Sequence, residues 1–443
     1  MIPAIDGSGR SRDLARHILQ RLGEAGQPPE YGVGRINVGN SSYLKILAEE
    51  YFGNLLRIGA SFKLVQGYFG AGKTHFLYCV REIAWEHGFA TALVELSPAE
   101  CPYDDSLKVY RAVARRLAMK PAQVMVAPNY GIGDVLRNHV DDALDRARQS
   151  FEAKAQKDAT EQARAAVDEW LARTVARAAC ESHSYRQAVV AFCRAYLKED
   201  ARTEQRLEAW LTGEPVPPSE LRDAGVYEQL DKSNGFAMLR CLTQMMVALG
   251  ITGTALLFDE VDRNLSVSAK RSQAIGDNLR QVIDLCGRHQ LPNTLFMYAV
   301  PPEFMRNVVP DYPALYQRLK SPVSLSVRSP QSVLIDLERL DLEPLDLLRQ
   351  LGERIVLIFE EARGVGLDRE LQARNAARLA AAAVGAFFEV NHRRLFVKSW
   401  VDHLGRQLAD GESELSTGEC ADLVAAGNES LRSSGGPGDF EDF

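Results

Sequence analysis

Eight residues, Gly67-Tyr68-Phe69-Gly70-Ala71-Gly72-Lys73-Thr74, satisfy G-x-x-x-x-G-K-[ST] at every fixed position. That spacing lets a loop fold back so that successive backbone N–H groups converge on phosphate oxygens, with glycines where bulkier residues would block the approach. Lys73 can reach the β- and γ-phosphates of a bound triphosphate, and the Thr74 hydroxyl can ligate Mg²⁺. A second pair of chemical groups lies far along the chain: Asp259 and Glu260 end the apolar run Thr254-Ala255-Leu256-Leu257-Phe258. Such a pair either marks a strand meeting solvent at an acidic turn or serves the same phosphate site. In the second case Asp259 holds the metal through water and Glu260 polarises an attacking water. Asp262 is weaker and can be a helix cap.

These residues need elements to position them. Phe62, Leu64 and Val65 precede the loop as a short strand, and Leu77, Val80 and Ala84 follow it at helical intervals. Strand–loop–helix is the context a phosphate loop requires, and the helix offers the positive end of its dipole to the anion. The Asp259 strand is expected beside the first one. Further strands are expected over 89–96, 293–300 and 323–327, with helices around 106–119, 236–249 and 270–288. The alternation indicates an α/β fold with a five-stranded parallel sheet. Residues 131–235, rich in Ala, Arg and acidic side chains, read as a large helical insertion; its charged face is either solvated or a partner surface. Helices over 345–361, 370–388 and 394–408 form a C-terminal helical lid. The domains are therefore 1–60 as an N-terminal segment, 61–130 with 236–330 as the α/β core, 131–235 as the insertion, 331–432 as the lid, and 433–443 as a disordered tail.

Whole-chain properties exclude some functions. The 443 residues carry a net charge of −7, so there is no global basic signature of nucleic-acid binding. Seven cysteines, none spaced C-x-x-C, argue for reduced thiols and against disulfides or structural zinc. No apolar run reaches a membrane span, and Met1–Gly7 has no signal pattern, so a soluble cytoplasmic protein without membrane partners is expected. Tyr31-Gly32-Val33-Gly34-Arg35 lies about thirty residues before the loop. It is a flexible connector or, like segments so placed in many ATPases, packs Val33, Gly34 and Arg35 on an adenine base.

Taken together, the phosphate loop, the distant Asp-Glu strand and late arginines resemble the AAA+ ATPases, origin-recognition-like members in particular. Tyr31–Gly39, Gly67–Leu77 with His75 after Thr74, and Trp210-Leu211-Thr212-Gly213-Glu214-Pro215 are similar to the ATP-binding BrxC/BrxD family of bacterial BREX phage defence. The resemblance implies a Mg²⁺-dependent ATPase with ATP as cofactor, acting as a homo-oligomer or with other defence-system proteins, with DNA as a further partner. It also implies that Arg318 is an arginine finger reaching a neighbouring subunit's nucleotide, and that Arg393, or else Arg394, is a nucleotide-sensing lid arginine. One departure stands out. The fourth strand ends Tyr298-Ala299-Val300 without the usual polar water-positioning residue. An ATP-binding switch or scaffold with little hydrolysis is therefore the alternative, and a phosphoryl transferase the third reading.

Overall fold

The computed structural model describes residues 7–97, 101–122, 128–154, 158–259, 269–287, 291–311, 313–319, 323–340, 342–386 and 392–434. Among these, β1 (Ala60–Gln66), β2 (Phe89–Glu95), β3 (Leu117–Ala118), β4 (Gly253–Asp259), β5 (Thr294–Val300) and β6 (Leu334–Asp336) form one sheet in the order β3-β2-β4-β5-β1-β6. All neighbours run parallel except β2 and β3, so the sheet is mixed. Side chains alternate between its faces. Leu256 and Phe258 of β4 and Phe296 and Tyr298 of β5 enter one core, while Ala255, Leu257, Leu295 and Met297 enter the other.

Three sequence expectations about the sheet are corrected. The Asp259 strand does not adjoin β1, because β5 pairs with both and lies between them. The last strand is Leu334–Asp336, paired with Leu64–Gln66, and not 323–327. There only Leu325 is buried: Val323 and Val327 are 50% and 82% exposed, and Ser326 and Ser329 close a tight turn. Leu325 joins Ile335 and Leu337 in the same core, while the strand pairing belongs to Leu334–Asp336. The helix expected to 119 stops at Arg116, and Leu117–Ala118 adds the antiparallel edge to what was expected as an all-parallel sheet.

On one face lie α2 (Ser41–Ile46), a π-helical turn (Leu47–Phe52) and α3 (Lys73–Glu86). The other face carries α4 (Ser106–Arg116), α5 (Ile132–Ala153), α6 (Ala159–Arg173), α7 (His183–Leu197), α8 (Ala201–Leu211), α9 (Gly235–Ala248), α10 (Ala269–Gly287) and α11 (Pro313–Leu319). The helices of the 131–235 segment share one continuous apolar core with that sheet face: Val140, Leu171, Phe192 and Trp210 belong to the same cluster as Phe258 and Tyr298.

A separate core is built by α12 (Pro344–Arg363), α13 (Arg369–Gly385), α14 (His392–Asp410) and α15 (Thr417–Ser434). Proline at the start of α12 and left-handed Gly364 at its end fix that helix's length. The N-terminal helix α1 (Gly7–Ala25) joins this core rather than the sheet, through Ala15, Ile18, Leu19 and Leu22. The N-terminal segment is thus divided between two bodies of packing. The acidic tail beyond residue 434 lies outside the described residues.

One lysine is buried in this framework. Lys63 of β1 is 1% exposed; its Nζ donates to the Tyr51 hydroxyl and to the Ser332 carbonyl, both at 2.5 Å, and sits 4.1 Å from the centre of the Tyr51 ring. Burial lowers its pKa from the ordinary 10.5 to about 7. Between those two values the unfolded chain binds more protons than the folded one, so this group makes stability rise with pH from 7 towards 10.5. The slope is at most about 1.4 kcal/mol per pH unit. Thermal or urea unfolding of wild type and Lys63→Met across that range should show the wild type gaining on the variant as pH rises. Parallel curves would assign Lys63 no such proton linkage.

Candidate functional site

Strand β1 delivers the chain into the loop, and the loop is shaped by its glycines. Gly70 and Gly72 have φ of +76° and +94°, a region that favours glycine. A Cβ on Gly67 would lie 2.9 Å from the Cβ of Ala71, so only glycine allows the loop to close on itself there. The Gly67 N–H donates to the Val300 carbonyl at 3.2 Å, tying the loop to the end of β5. Gly72 then precedes α3, which begins at Lys73. The Lys73 ammonium bridges the loop, donating to the carbonyls of Gly67 at 2.8 Å and Tyr68 at 3.2 Å. Tyr68 and Phe69 form the exposed tip of the loop, 42% and 43% accessible.

Asp259 ends β4 and is 5% exposed. Its Oδ2 accepts a hydrogen bond of 2.6 Å from the Thr74 hydroxyl. Residues 185 positions apart thus meet at the carboxyl end of the sheet, where the first turn of α3 crosses the strands. Both contribute hard oxygen donors, the chemistry that suits a small divalent cation with its remaining coordination from water and phosphate. Glu95 ends the neighbouring strand in register with Asp259 and is a second carboxylate at this edge, one the sequence reading passed over.

The C-terminal helical body reaches the loop through α14. Arg393 Nη1 donates to the Ala71 carbonyl, and Nη2 donates to Leu337 O at 3.3 Å. Burial lowers its pKa, an effect that Glu338 opposes. A cation in the first turn of a helix faces the positive end of the dipole, so Arg393 is held there by its carbonyl partners and by that carboxylate. Its neighbour Arg394 packs against Gly26 at the end of α1, where a Cβ would lie 2.8 Å from its Cγ. Of the two arginines left open by the sequence, Arg393 is the one at the loop.

Two acidic residues that belong to no motif complete the surroundings. Glu338, in the turn after β6, accepts a hydrogen bond of 3.0 Å from the Tyr68 N–H. The turn is braced by Asp336 Oδ1, which accepts from Glu338 N at 3.1 Å. Glu82 of α3 accepts from the N–H groups of Gly32 and Val33 at 2.9 and 3.3 Å, and burial raises its pKa against those bonds. These bonds pin a 3-10 turn, Val33–Ile36, to α3. Within that turn Val33 is fully buried and Arg35 is ion-paired with Glu361 of α12. Of the three residues expected to pack on a base, Val33 is engaged in packing and Arg35 in an ion pair, and Gly34 is exposed.

His75, next after Thr74, is pushed down to a pKa of about 4 by burial and by the nearby Arg393 cation. Its Nε2 lies 3.2 Å from Asn37 Oδ1. Tyr298 is fully buried; it stacks on Phe258 with ring centres 4.7 Å apart, and its hydroxyl bonds that of Tyr103. It is a core residue on the face opposite α3. Glu260 and Asp262 lie outside the described residues, as does the side chain of Arg318, whose backbone belongs to α11. No group of three or more His, Cys, Asp or Glu side chains suited to a metal occurs among the described residues. No helix among them is long and apolar enough to cross a membrane.

Fold and site together define an α/β protein whose strand–glycine loop–helix unit meets an acidic strand end. The chain belongs to the family described as BREX system ATP-binding protein BrxC/D, which it matches over residues 11–416. No curated protein matches it. Among solved structures it is similar to the ORC2 protein of Aeropyrum pernix, in ADPNP–ADP complexes, at 12% identity and a TM-score of 0.39, over 88% of this chain and 67% of that one. ATP binding and a place in the BREX defence system come with the family.

The Glu338 contact has a measurable consequence. Its carboxylate takes a loop N–H and brings negative charge to where a nucleotide's phosphates would lie. Glu338→Gln should tighten ATP binding about three- to tenfold, most at low salt. Titration calorimetry at two ionic strengths checks this, and unchanged or weaker binding would show that the carboxylate does not compete.

Proposed function

We propose that this chain is a Mg²⁺-dependent ATPase of the AAA+ class, acting in the cytoplasm, that couples ATP binding and hydrolysis to assembly or DNA transactions in BREX phage defence. The observation that carries the reading is the 2.6 Å bond between Thr74 and Asp259, which brings the two halves of the sequence pattern to one point. The AAA+ assignment is supported by the parallel run β2-β4-β5-β1-β6, by the helical body α12–α15 read as a lid, and by Arg393 extending from that body to the loop.

In this reading the loop Gly67–Thr74 wraps the phosphates, and Lys73 exchanges its two carbonyl partners for phosphate oxygens. Thr74 and Asp259 are the residues that would hold Mg²⁺, which when bound offsets phosphate charge. Glu260 directly follows Asp259 and is proposed to orient the attacking water. Arg318 on α11 is proposed as the finger supplied to a neighbouring subunit, stabilising charge as the γ-phosphoryl group leaves. Arg393 and His75 border the loop on the lid side, and Gly34 is the exposed part of the turn beside α3. Partners are a second copy of the chain or other proteins of the defence system, with DNA as a further ligand.

A second reading, an ATP-binding switch with little hydrolysis, is favoured by one observation. The Tyr298 hydroxyl is bonded to Tyr103 inside the core, and Ala299 and Val300 complete β5, so that strand end offers no polar side chain to hold water.

Three measurements separate these readings. Lys73→Ala should weaken ATP binding by at least about tenfold, one unit of 1.4 kcal/mol. Glu260→Gln should retain ATP yet lose phosphate release by about a hundredfold or more; wild-type turnover in that variant would remove the role given to Glu260. Specific activity should rise with protein concentration if Arg318 acts in trans. Tight ATP binding with no phosphate release, even with DNA and partner proteins added, would favour the switch.

A further inference from the structure

Six of the seven cysteines are buried, and Cys180 alone is part-exposed. Burial pushes the thiols of Cys79, Cys101, Cys193, Cys286 and Cys420 up, so these five are inert at physiological pH. Cys180 and Cys241 differ because they face each other. Cys180 lies in the short segment ahead of α7, within the 131–235 helices, and Cys241 lies fully buried on α9. The Cys241 thiol donates a hydrogen bond to the Cys180 sulfur. The Ser182 N–H donates to Cys241 Sγ at 3.3 Å and also serves Cys180.

The backbone is anchored on both sides of Cys180. Before it, the Ala178 carbonyl accepts from Arg186 Nη1 at 2.9 Å. After it, Glu181 N–H donates to Gln244 Oε1 at 2.9 Å, and the Glu181 carboxylate forms a two-pronged pair with Arg240, both bonds at 2.6 Å. Arg240, Cys241 and Gln244 of α9 thus hold the segment in place. The hydrogen bond from Cys241, the Ser182 N–H and the Arg186 cation favour the thiolate of Cys180 and lower its pKa. The same thiol–thiol bond, together with burial, raises that of Cys241. An accessible sulfur that gives up its proton therefore sits beside a buried one that keeps it, the arrangement of an attacking and a resolving thiol.

We propose that Cys180 and Cys241 are a peroxide-responsive dithiol that closes to a disulfide and ties the 131–235 helices to α9. The Cys180 thiolate attacks one oxygen of hydrogen peroxide: an S–O bond forms, the O–O bond breaks, and the departing hydroxide takes up the proton that Cys180 released. The Cys241 sulfur then attacks the Cys180 sulfur. An S–S bond forms, the S–O bond breaks, and the hydroxyl leaves with the Cys241 proton as water. The two thiols give up two electrons, and one peroxide becomes two waters. Where thiols are ordinarily kept reduced, a pair of this kind serves as a reversible sensor and not as a permanent staple. The bond closes a loop of roughly sixty residues in the unfolded chain, so the oxidised protein resists unfolding more strongly than the reduced one.

The test treats the reduced full chain with a small excess of hydrogen peroxide, alkylates the remaining thiols in denaturant and maps the peptides by mass spectrometry. Wild type should lose two of its seven alkylatable thiols and yield a cross-linked peptide pair, carrying Cys180 and Cys241, that dithiothreitol separates. Once oxidised it should unfold at a higher urea concentration. Cys241→Ser should stop at a Cys180 sulfenic acid that dimedone captures. Cys180→Ser should keep its remaining thiols at the same dose, because Cys180 reacts about tenfold or more faster than any other cysteine. A wild type in which peroxide spares every thiol, oxidises Cys180 to a sulfinic acid without a cross-link, or attacks the cysteines indiscriminately overturns the inference with no variant needed. A cross-link that leaves the urea midpoint unchanged or lower overturns it too, since the folded geometry would then not accept the bond.

Discussion

The bond from the Thr74 hydroxyl to the Asp259 carboxylate sets the frame for everything else in the site. It fixes the first turn of α3 against the end of β4, across β5's neighbourhood, and so fixes where the loop's amides can point. A nearly buried carboxylate is tolerable only with a partner, and among the bonds described here the hydroxyl supplies one. In the proposed function, Thr74 and Asp259 would exchange that partner for a cation. The neighbouring contacts share this property. Lys73 rests on backbone carbonyls and Glu338 on a backbone N–H, and each is a contact that a phosphate group can replace.

The chemistry of this region was legible in the sequence because it depends on residue types at short, fixed spacings. Gly67 is needed for closure and Gly70 and Gly72 for positive φ, whereas the acidic end of an apolar run had two readings in the sequence, and its bond to Thr74 is what brings it to the loop. Strand identity was less legible. Alternation over 323–327 looks like a half-buried strand, and Leu325 is indeed buried between two exposed valines, but only long-range pairing to Leu64–Gln66 selects Leu334–Asp336 as the strand. The sheet order was misjudged for the same reason: periodicity describes a strand's faces and says nothing about its neighbours.

Arg393 and Arg394 were indistinguishable as letters. One helical step separates their directions by about 100°, which sends one to the loop and the other to Gly26. Glu338 and Glu82 carry no motif at all. Their roles arise from which backbone groups happen to lie opposite, information that exists only after the chain has folded. Val33 and Arg35 likewise have partners that no pattern announces, the buried packing around the first and Glu361 for the second.

The two bodies that flank the sheet are joined to it by different physics. The 131–235 helices share an unbroken apolar core with the strand face: Val140, Leu171, Phe192 and Trp210 lie in one cluster with Phe258 and Tyr298, and Tyr185 of α7 packs edge-on against Tyr110 of α4. Shifting that body means opening close-packed side chains, for which water offers no substitute. The α12–α15 body has its own core, which Ile36 of the turn beside α3 and nearby Val38 also enter, and it meets the loop through Arg393, which donates to two carbonyls, with the Arg35–Glu361 pair alongside. The arginine that touches the loop belongs to this body, so a change of occupant at the loop bears on the body directly through the Ala71 carbonyl.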